Sequence, residues 1–468
     1  MSIVTRLAGA VALMLGFAAA AAEFEPSLDV GVIRTDNLGL TTLDPESQTI
    51  YQLTPSLRVS QESVRLTASA AYRLDAYKYD QRDDSKVYNN FDGNMSFAMV
   101  PDAFFLNAGA SRSQALRDPA TEIPVTDFAF TTNLVDRDDF YVGPSFEFGA
   151  GGNAVVSGDL RRTRVNYDES VESDLTDLDY DTATIGIDNY RRGRGFTWAM
   201  RYEYDHTDYG EVFFPYEYQR ALVELGGWAT MTTRIFGAGG KESDWETPLD
   251  PSLEASFYEV GLAQQLGERL STEFAVGERS FGKTMRADVE YEFGRGRTSV
   301  SYVEEPRDSS DDRYARDLLV SDDPNDYLAR VGTIERYLEE RFQWSFTFEL
   351  NRLSFNLLAF DETRTDRTGV DGVTLDDESQ EGVELSIEWE LGARTELFVG
   401  RQAVDRSYSA TQNIDLDVAR LGARHELGSR TSLSLTYEHW KEFGQGTVLV
   451  DYEADVVTLL LTRDFSRR

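Results

Sequence analysis

The chain contains no cysteine, so it forms no disulfide bond and has no thiol to carry a lipid anchor. Beyond Ala22 it has no run of 18 apolar residues, which excludes a helical membrane anchor there. Basic side chains are few, 46 Lys and Arg against 82 Asp and Glu, and the net charge of −36 excludes nucleic acid as a partner. A closed, hydrogen-bonded barrel would need neither a disulfide bond nor a helical anchor.

Signatures of catalysis and of metal binding are absent as well. The 468 residues include 3 histidines, and none of the sequence patterns H-E-x-x-H, G-x-S-x-G or the P-loop occurs. Carboxylates cluster in residues 168–181, but their spacing does not match a calcium-binding EF-hand loop. We therefore predict a protein that is not an enzyme, with no catalytic, cofactor-binding or metal-binding residues. A barrel hydrolase that uses His206, His425 or His439 is a remote alternative.

The N-terminus has the pattern of a secretory signal peptide. A short segment with Arg6 precedes an apolar run from Leu7 to Phe17, and alanines continue to Ala22. The apolar run is shorter than the roughly 20 residues of a membrane-spanning helix. We predict a signal peptide over residues 1–22, cleaved near Ala22, and one exported domain over residues 23–468, because no linker-like segment interrupts the chain.

A two-residue rhythm recurs along the exported part. Phe342, Trp344 and Phe346 alternate with Gln343 and Ser345, and similar alternation continues on other segments. Successive side chains of a strand point to opposite faces, so each strand has one apolar and one polar face. The apolar face packs on a second sheet in a soluble sandwich, whereas it contacts lipid in an outer-membrane barrel.

Loop lengths favour the barrel. The short connections lie near residues 61–63, 100–102, 149–153, 191–195, 229–233, 266–269, 294–296, 350–352, 392–394 and 428–430. The longer acidic connections lie near residues 80–86, 113–136, 168–179, 207–215, 243–251, 361–379 and 405–412. Short turns at one end and long loops at the other are typical of outer-membrane barrels. We predict an all-β fold, one transmembrane antiparallel up-and-down β-barrel of about 22 strands (between 20 and 24).

The polar face carries full charges. A basic residue on a lipid face costs roughly 2–4 kcal/mol near the midplane, so the charged residues should line the lumen. The candidate lumen-lining residues are Arg65, Arg73, Asp75, Arg201, Asp288, Glu290, Glu292, Glu349, Glu384, Glu388 and Glu390. They form either a selectivity lining for a polar solute or an internal ion-pair network that fills and stiffens the barrel.

The segment from Arg307 to Glu340 breaks the two-residue rhythm. From Tyr327 to Arg341, apolar residues such as Val331, Ile334 and Leu338 recur at helical spacing, which predicts an amphipathic helix. Long loops with their own structure are often functional. We expect a partly helical loop over residues 307–340 that acts either as a pore plug or as an outer cap.

Several segments resemble a known family. They are Asp36–Thr42, Tyr51–Leu57 and Val64–Arg73 near the start, and Ile334–Arg364 after the long loop. Together they resemble the PEP-CTERM (exosortase) system-associated outer-membrane β-barrel family, over nearly the whole exported chain. The resemblance implies an envelope protein of Gram-negative bacteria that is associated with exopolysaccharide export. It implies no catalytic residues.

The expected function is therefore non-enzymatic. The barrel would lie in the outer membrane of a Gram-negative bacterium, contact lipid and lipopolysaccharide, and pass or guide a polar polymer or solute through a charged, porin-like lumen. Exopolysaccharide or its export machinery would be a partner. The alternative is a structural or docking barrel that conducts nothing and binds envelope partners through its acidic outer loops.

Overall fold

The computed structural model describes the chain from residue 22 to residue 466 with interruptions. The described residues are 22–42, 44–82, 84–116, 128, 134–151, 154–167, 177–189, 195–209, 215–244, 253–308, 335–369, 376–409, 412–445 and 451–466. Most of the predicted signal peptide and most of the predicted long loop, residues 309–334, lie outside them.

The described residues form 22 strands. In chain order they are β1 (Glu23–Thr35), β2 (Gln48–Glu62), β3 (Leu66–Tyr79), β4 (Ser85–Val100), β5 (Phe104–Leu116), β6 (Leu134–Gly151), β7 (Ala154–Tyr167), β8 (Leu178–Asp188), β9 (Phe196–Asp208), β10 (Tyr216–Trp228), β11 (Thr233–Glu242), β12 (Ala255–Leu266), β13 (Leu270–Arg279), β14 (Gly282–Phe293), β15 (Gly296–Asp308), β16 (Glu335–Leu350), β17 (Leu353–Gly369), β18 (Glu378–Glu390), β19 (Thr395–Ser409), β20 (Gln412–Gly428), β21 (Thr431–Gln445) and β22 (Asp451–Asp464).

Each strand pairs antiparallel with its neighbours in sequence, and the last strand closes on the first. Val30 of β1 lies opposite Leu53 of β2 on one side and opposite Leu461 of β22 on the other. Closure leaves no unpaired sheet edge, which is what a strand needs inside a bilayer. The prediction of a single antiparallel up-and-down barrel of about 22 strands is confirmed.

Two different faces alternate on every strand. Paired residues of neighbouring strands point to the same side of the sheet. The strand register therefore shows which residues share a face all the way around the barrel. One face presents exposed apolar side chains, including Met200 at 52%, Val260 at 55% and Val276 at 58% relative exposure. The other face carries most of the charged and buried side chains. The exposed apolar face is the outer wall and the other is the lumen wall, the arrangement of a membrane barrel.

Aromatic residues gather on the outer wall near the short turns. Phe293 stacks with Phe346 at 5.7 Å and with Phe348 at 6.1 Å between ring centroids, and Phe346 meets Phe355 edge-on at 5.7 Å. These rings lie at one end of β14, β16 and β17. Aromatic girdles of this kind mark the membrane interfaces of outer-membrane barrels.

Connections differ between the two ends of the barrel. At the short-turn end, β14 and β15 are joined by two residues, and Gly294 adopts a positive φ of 50° that suits glycine. At the long-loop end, the predicted loop 361–379 is shorter than expected, because β17 continues to Gly369 and β18 begins at Glu378. The predicted loop 405–412 shrinks similarly, since β19 ends at Ser409 and β20 begins at Gln412. Above an apolar belt both faces of a strand meet water, so alternation no longer marks the strand.

The predicted helix is wrong where it can be compared. Glu335 to Arg341 form the start of β16, which pairs with β15 from Asp308 opposite Arg336 to Gly296 opposite Phe348. Tyr337, Glu339 and Arg341 also fit a two-residue period, and pairing with β15 decides between the two periods. Within the described part of the chain no residue is helical. The same residues therefore include no apolar helix of membrane-spanning length.

Candidate functional site: the lumen wall

The candidate lumen residues lie on the lumen wall, with one exception. The register places Arg73, Asp75, Arg201, Asp288, Glu290, Glu292, Glu349, Glu384, Glu388 and Glu390 on the face opposite the exposed apolar residues. Arg65 lies instead in the turn between β2 and β3, where it is exposed.

The half of the lumen wall near the short turns is open and acidic. Exposed carboxylates Glu292, Glu349 and Glu390 lie there on neighbouring or nearby strands. Arg297 binds Glu290 at 2.8 Å. A concavity of about 310 Å³ lies at the turn between β14 and β15, and its charged lining residues are Glu292, Glu349, Arg269, Arg295 and Arg297. Carboxylates on an accessible wall hold water and attract cations.

Other charges on the lumen wall are tied into hydrogen-bonded groups. Asp75 is 2% exposed and accepts hydrogen bonds from Thr54 Oγ1 at 2.9 Å, Arg73 Nε at 2.8 Å and Asn90 Nδ2 at 2.9 Å. The three donors come from β2, β3 and β4. Asp75 therefore fixes part of the wall, while Arg73 remains about half exposed toward the lumen.

The half of the lumen wall near the long loops is packed. Three buried apolar clusters lie there, and each combines lumen-wall residues with a residue that follows or lies between strands. Cluster A contains Leu40, Val404, Leu416, Val418, Trp440, Tyr452 and Ala454. Cluster B contains Val135, Val165, Tyr167, Leu178, Tyr180 and Tyr209. Cluster C contains Ile33, Leu38, Ile50, Tyr77, Tyr79, Phe128 and Val456. The long-loop end of the lumen is thus narrowed by residues that fold inward.

The loop between β1 and β2 is held inside this mouth. Leu38 belongs to cluster C and Leu40 to cluster A. Asn37 is 3% exposed, donates from Nδ2 to the carbonyl oxygens of Thr41 at 2.9 Å and Glu453 at 3.0 Å, and accepts from Thr41 N at 3.1 Å. Buried hydrogen bonds and two apolar anchors hold the loop in this position.

The same loop is tied to the turn between β3 and β4. Arg82 forms an ion pair with Glu46, with Nε donating to Oε1 at 3.1 Å. The hydrogen bond from Arg82 lowers the pKa of Glu46 below its usual value. Both side chains are more than a third exposed, so this tie is weak and sensitive to salt.

Buried ion pairs complete the mouth. Arg279 Nη2 lies 2.8 Å from Glu242 Oε2, and Glu242 is fully buried. Elsewhere on the wall, Arg364 pairs with Glu362 at 2.9 Å and Arg307 with Glu339 at 3.2 Å. Half-buried or buried pairs of this kind belong to the packed half of the lumen. The described part of the lumen wall therefore carries both exposed charges and buried ion pairs.

The three histidines lie on the outer wall. His206 is 3.8 Å from Glu217, His439 Nδ1 is 2.9 Å from Asp455, and His425 Nδ1 is 2.8 Å from the hydroxyl of Thr395. Among the described residues, His425 therefore contacts a hydroxyl group, whereas His206 and His439 lie beside carboxylates. The described residues also contain no cluster of three or more metal-ligating side chains.

The inward-folded mouth was not predicted. Its signal in the sequence is a change along the lumen face of β3, from charged Arg73 and Asp75 to aromatic Tyr77 and Tyr79. Aromatic residues on a face that should be wet indicate that something covers them. The partners, Leu38 and Phe128, come from distant loops, so the sequence alone does not reveal them.

No protein-family model matches the chain, and no curated protein matches it. Solved structures do. The chain is similar to a mutant of the ferric enterobactin receptor PfeA from Pseudomonas aeruginosa, with 11% identity, a TM-score of 0.50, and coverage of 95% of this chain and 81% of that one. The fold is that of an outer-membrane β-barrel.

Two other solved structures give similar coverage with lower TM-scores. The siderophore receptor PirA from Acinetobacter baumannii matches with 7% identity and a TM-score of 0.49 over 95% of this chain and 80% of that one. An anion-selective porin from Comamonas acidovorans matches with 11% identity and a TM-score of 0.35 over 95% and 99%. At these identities the likeness concerns the fold alone. The resemblance to the PEP-CTERM family stays a prediction.

Proposed function

We propose that the protein is a non-enzymatic barrel of the Gram-negative outer membrane that lets polar solutes enter and cross its lumen. The observation that carries the proposal is the lumen wall itself. Its short-turn half presents exposed carboxylates such as Glu292, Glu349 and Glu388, which only a water-filled space tolerates. In outer-membrane barrels the short turns face the periplasm, so this half would open to the periplasm.

The charge of the wall sets the class of solute. Carboxylates outnumber guanidinium groups along β14 to β18, in keeping with a net charge of −36 for the chain. A wall with an excess of negative charge attracts cations and repels anions. The lumen therefore prefers cations and neutral polar solutes, and an exopolysaccharide passing through it would be neutral or cationic.

The exopolysaccharide role itself rests on the family resemblance, which links such barrels to exosortase and polysaccharide loci. Contact with lipopolysaccharide is supported by ion pairs on the outer wall toward the long loops. Arg162 binds Asp179 at 3.0 Å, and Arg401 binds Asp417 at 2.7 Å. Charges at this level would meet lipid head groups, where they cost little.

Conductance in planar bilayers tests the proposal. With a KCl gradient across the bilayer, the reversal potential should show preference for K⁺ over Cl⁻. The Debye length is about 30 Å at 0.01 M salt and about 3 Å at 1 M, so the preference should be strong in dilute salt and fade in concentrated salt. Preference for Cl⁻, or a preference that does not change with salt, would contradict an acidic wet lumen.

A variant at the mouth tests whether the packed half of the lumen limits the conductance. Replacing Leu38 and Leu40 by Asp should expel the loop between β1 and β2, because two carboxylates do not fit apolar clusters. Conductance should rise above that of the wild type. Val64, 89% exposed in the turn between β2 and β3, provides the control substitution Val64→Asp, which should change nothing.

A structural or docking barrel is the second candidate. The packed mouth favours it, because clusters A, B and C narrow the lumen at the long-loop end. Absence of conductance in both the wild type and the Leu38→Asp, Leu40→Asp variant would support this candidate and end the transport proposal.

A further inference from the structure

One panel of the lumen wall is uncharged. On β16, β17 and β18 the lumen face presents Gln343, Ser345 and Thr347, then Ser354 and Asn356, then Ser386. We call these six residues the polar panel. Asn356 lies opposite Thr347 on one side and Ser386 on the other, so hydroxyl and amide groups form a continuous patch.

Most side chains of the panel make a hydrogen bond on the wall. Gln343 Oε1 accepts from Arg341 Nη2 at 3.0 Å, and Ser345 Oγ shares a hydrogen bond of 2.6 Å with Ser299 Oγ. Ser354 Oγ donates to Glu388 Oε2 at 3.2 Å, and Asn356 Nδ2 donates to Ser386 Oγ at 3.3 Å. Hydroxyl and amide groups both donate and accept. The panel can therefore bind a ligand whose rim carries groups that do the same.

Two phenylalanine rings flank the panel and lie along the wall. The Phe398 ring covers Gly422, with Cζ 2.1 Å, Cε2 2.6 Å and Cε1 2.7 Å from the position that a Cβ would take. The Phe360 ring covers Gly382, with Cζ at 2.7 Å and Cε1 at 2.8 Å. Because each ring rests on a glycine of the next strand, one ring face meets the wall and the other is turned away from it.

Other aromatic rings of the lumen wall also lie over a glycine of the next strand, but a further side chain covers their second face. The Phe236 ring lies over Gly261, is 2% exposed, and carries the Arg234 guanidinium 4.7 Å from its centroid. Among the described residues, no guanidinium covers Phe398 or Phe360, and both rings are partly exposed. Phe360 packs against cluster A, whereas Phe398 belongs to none of the three clusters. The Phe398 ring and the hydroxyl and amide panel form one surface, and Phe360 closes its end toward the mouth.

We propose that this surface binds a neutral oligosaccharide. A pyranose ring has an apolar C–H face that stacks on an aromatic ring and a rim of hydroxyl groups that both donate and accept hydrogen bonds. Phe398 supplies the stacking face, and the panel supplies the hydrogen bonds. Glu388 accepts hydrogen bonds from hydroxyl groups and repels polyanions. The inference rests on the proposed function, because the ligand must enter the lumen.

Calorimetric titration of the full chain in detergent with maltohexaose tests the site without requiring conduction. Binding should occur, and polyethylene glycol of similar mass should not bind. Phe398→Ala should weaken binding by about twofold to tenfold, since it removes the aromatic stacking contact. Phe236→Ala, with its ring already covered by Arg234, is the matched control and should bind as the wild type does.

A second variant controls for misfolding of the first. Asn356→Leu removes the central amide of the panel without touching either ring, and it should also weaken binding. Cation-selective conductance without maltohexaose binding would overturn the saccharide site and leave the proposed function standing. Binding that survives both Phe398→Ala and Asn356→Leu would overturn the site as well. Binding without conductance would uphold the site and contradict passage through the lumen.

Discussion

The buried group formed by Tyr218, Glu242, Arg279 and Ser280 predicts a large and specific loss of stability. Glu242 accepts hydrogen bonds from Arg279 Nη2 at 2.8 Å, Arg279 Nε at 3.1 Å, Tyr218 OH at 2.8 Å and Ser280 N at 2.7 Å. Its side chain is 0% exposed and that of Arg279 is 6% exposed. The group links β10, β11 and the end of β13 at the mouth of the lumen.

Replacing Arg279 by Met leaves the Glu242 carboxylate buried without its cation. Removing one partner of a buried pair costs about 3–5 kcal/mol, whereas replacing both partners by neutral residues is often close to neutral. In the double variant with Glu242→Gln and Arg279→Met, the amide oxygen still accepts from Ser280 N. We therefore expect Arg279→Met to lose about 3–5 kcal/mol and the double variant to recover most of the loss.

Urea unfolding of the full chain in lipid vesicles, followed by tryptophan fluorescence, measures these free energies. The matched control is Arg401→Met, since the pair of Arg401 with Asp417 is 64% and 43% exposed. An exposed pair contributes about 0–1 kcal/mol. The reasoning fails if Arg279→Met is no less stable than Arg401→Met, or if the second substitution restores nothing.

Three further predictions concern the wall and the mouth. Val276→Arg on the outer wall should lower the free energy of unfolding by about 2–4 kcal/mol in vesicles, whereas Ser301→Arg on the lumen wall should change it by less than about 1 kcal/mol; equal effects would contradict the assigned faces. Gly240→Ala should destabilise the barrel in the same assay, because its Cβ would lie 1.9 Å from a carbonyl oxygen of the neighbouring strand. The lowered pKa of Glu46 means that its tie to Arg82 is present above the ordinary carboxyl pKa and lost as pH falls through the lowered value. Proteolysis of the β1–β2 loop should increase over that acidic range, and Glu46→Gln should remove the pH dependence.

The wall of the barrel could be predicted from sequence because its signals are local. Alternation such as Phe342, Trp344 and Phe346 against Gln343 and Ser345 is set by neighbouring residues, and turns such as 294–296 follow from nearby glycines. Strand number and the sorting of connection lengths by barrel end both follow from these two signals.

Two features could not be predicted in this way. The residues near Leu338 fit both a helical spacing and the two-residue period of a strand. Only the pairing of β16 with β15 shows that they form a strand. The mouth depends on contacts between residues far apart in sequence, such as the hydrogen bond of 2.7 Å from Tyr79 OH to the carbonyl oxygen of Phe128. Nothing in the surroundings of either residue in the sequence specifies the other.

Met200 and Arg201 test the central claim most directly, because they are neighbours on β9 with similar exposure, 52% for Met200 and 48% for the Arg201 side chain. The chain has no cysteine, so a fluorescent label can be placed at Met200→Cys or Arg201→Cys alone. In vesicles, the label at position 200 should be quenched by brominated lipid and not by acrylamide, a neutral aqueous quencher, and the label at position 201 should behave in the opposite way. Quenching of both labels by acrylamide alone would show that the apolar face does not meet lipid, and would contradict the account.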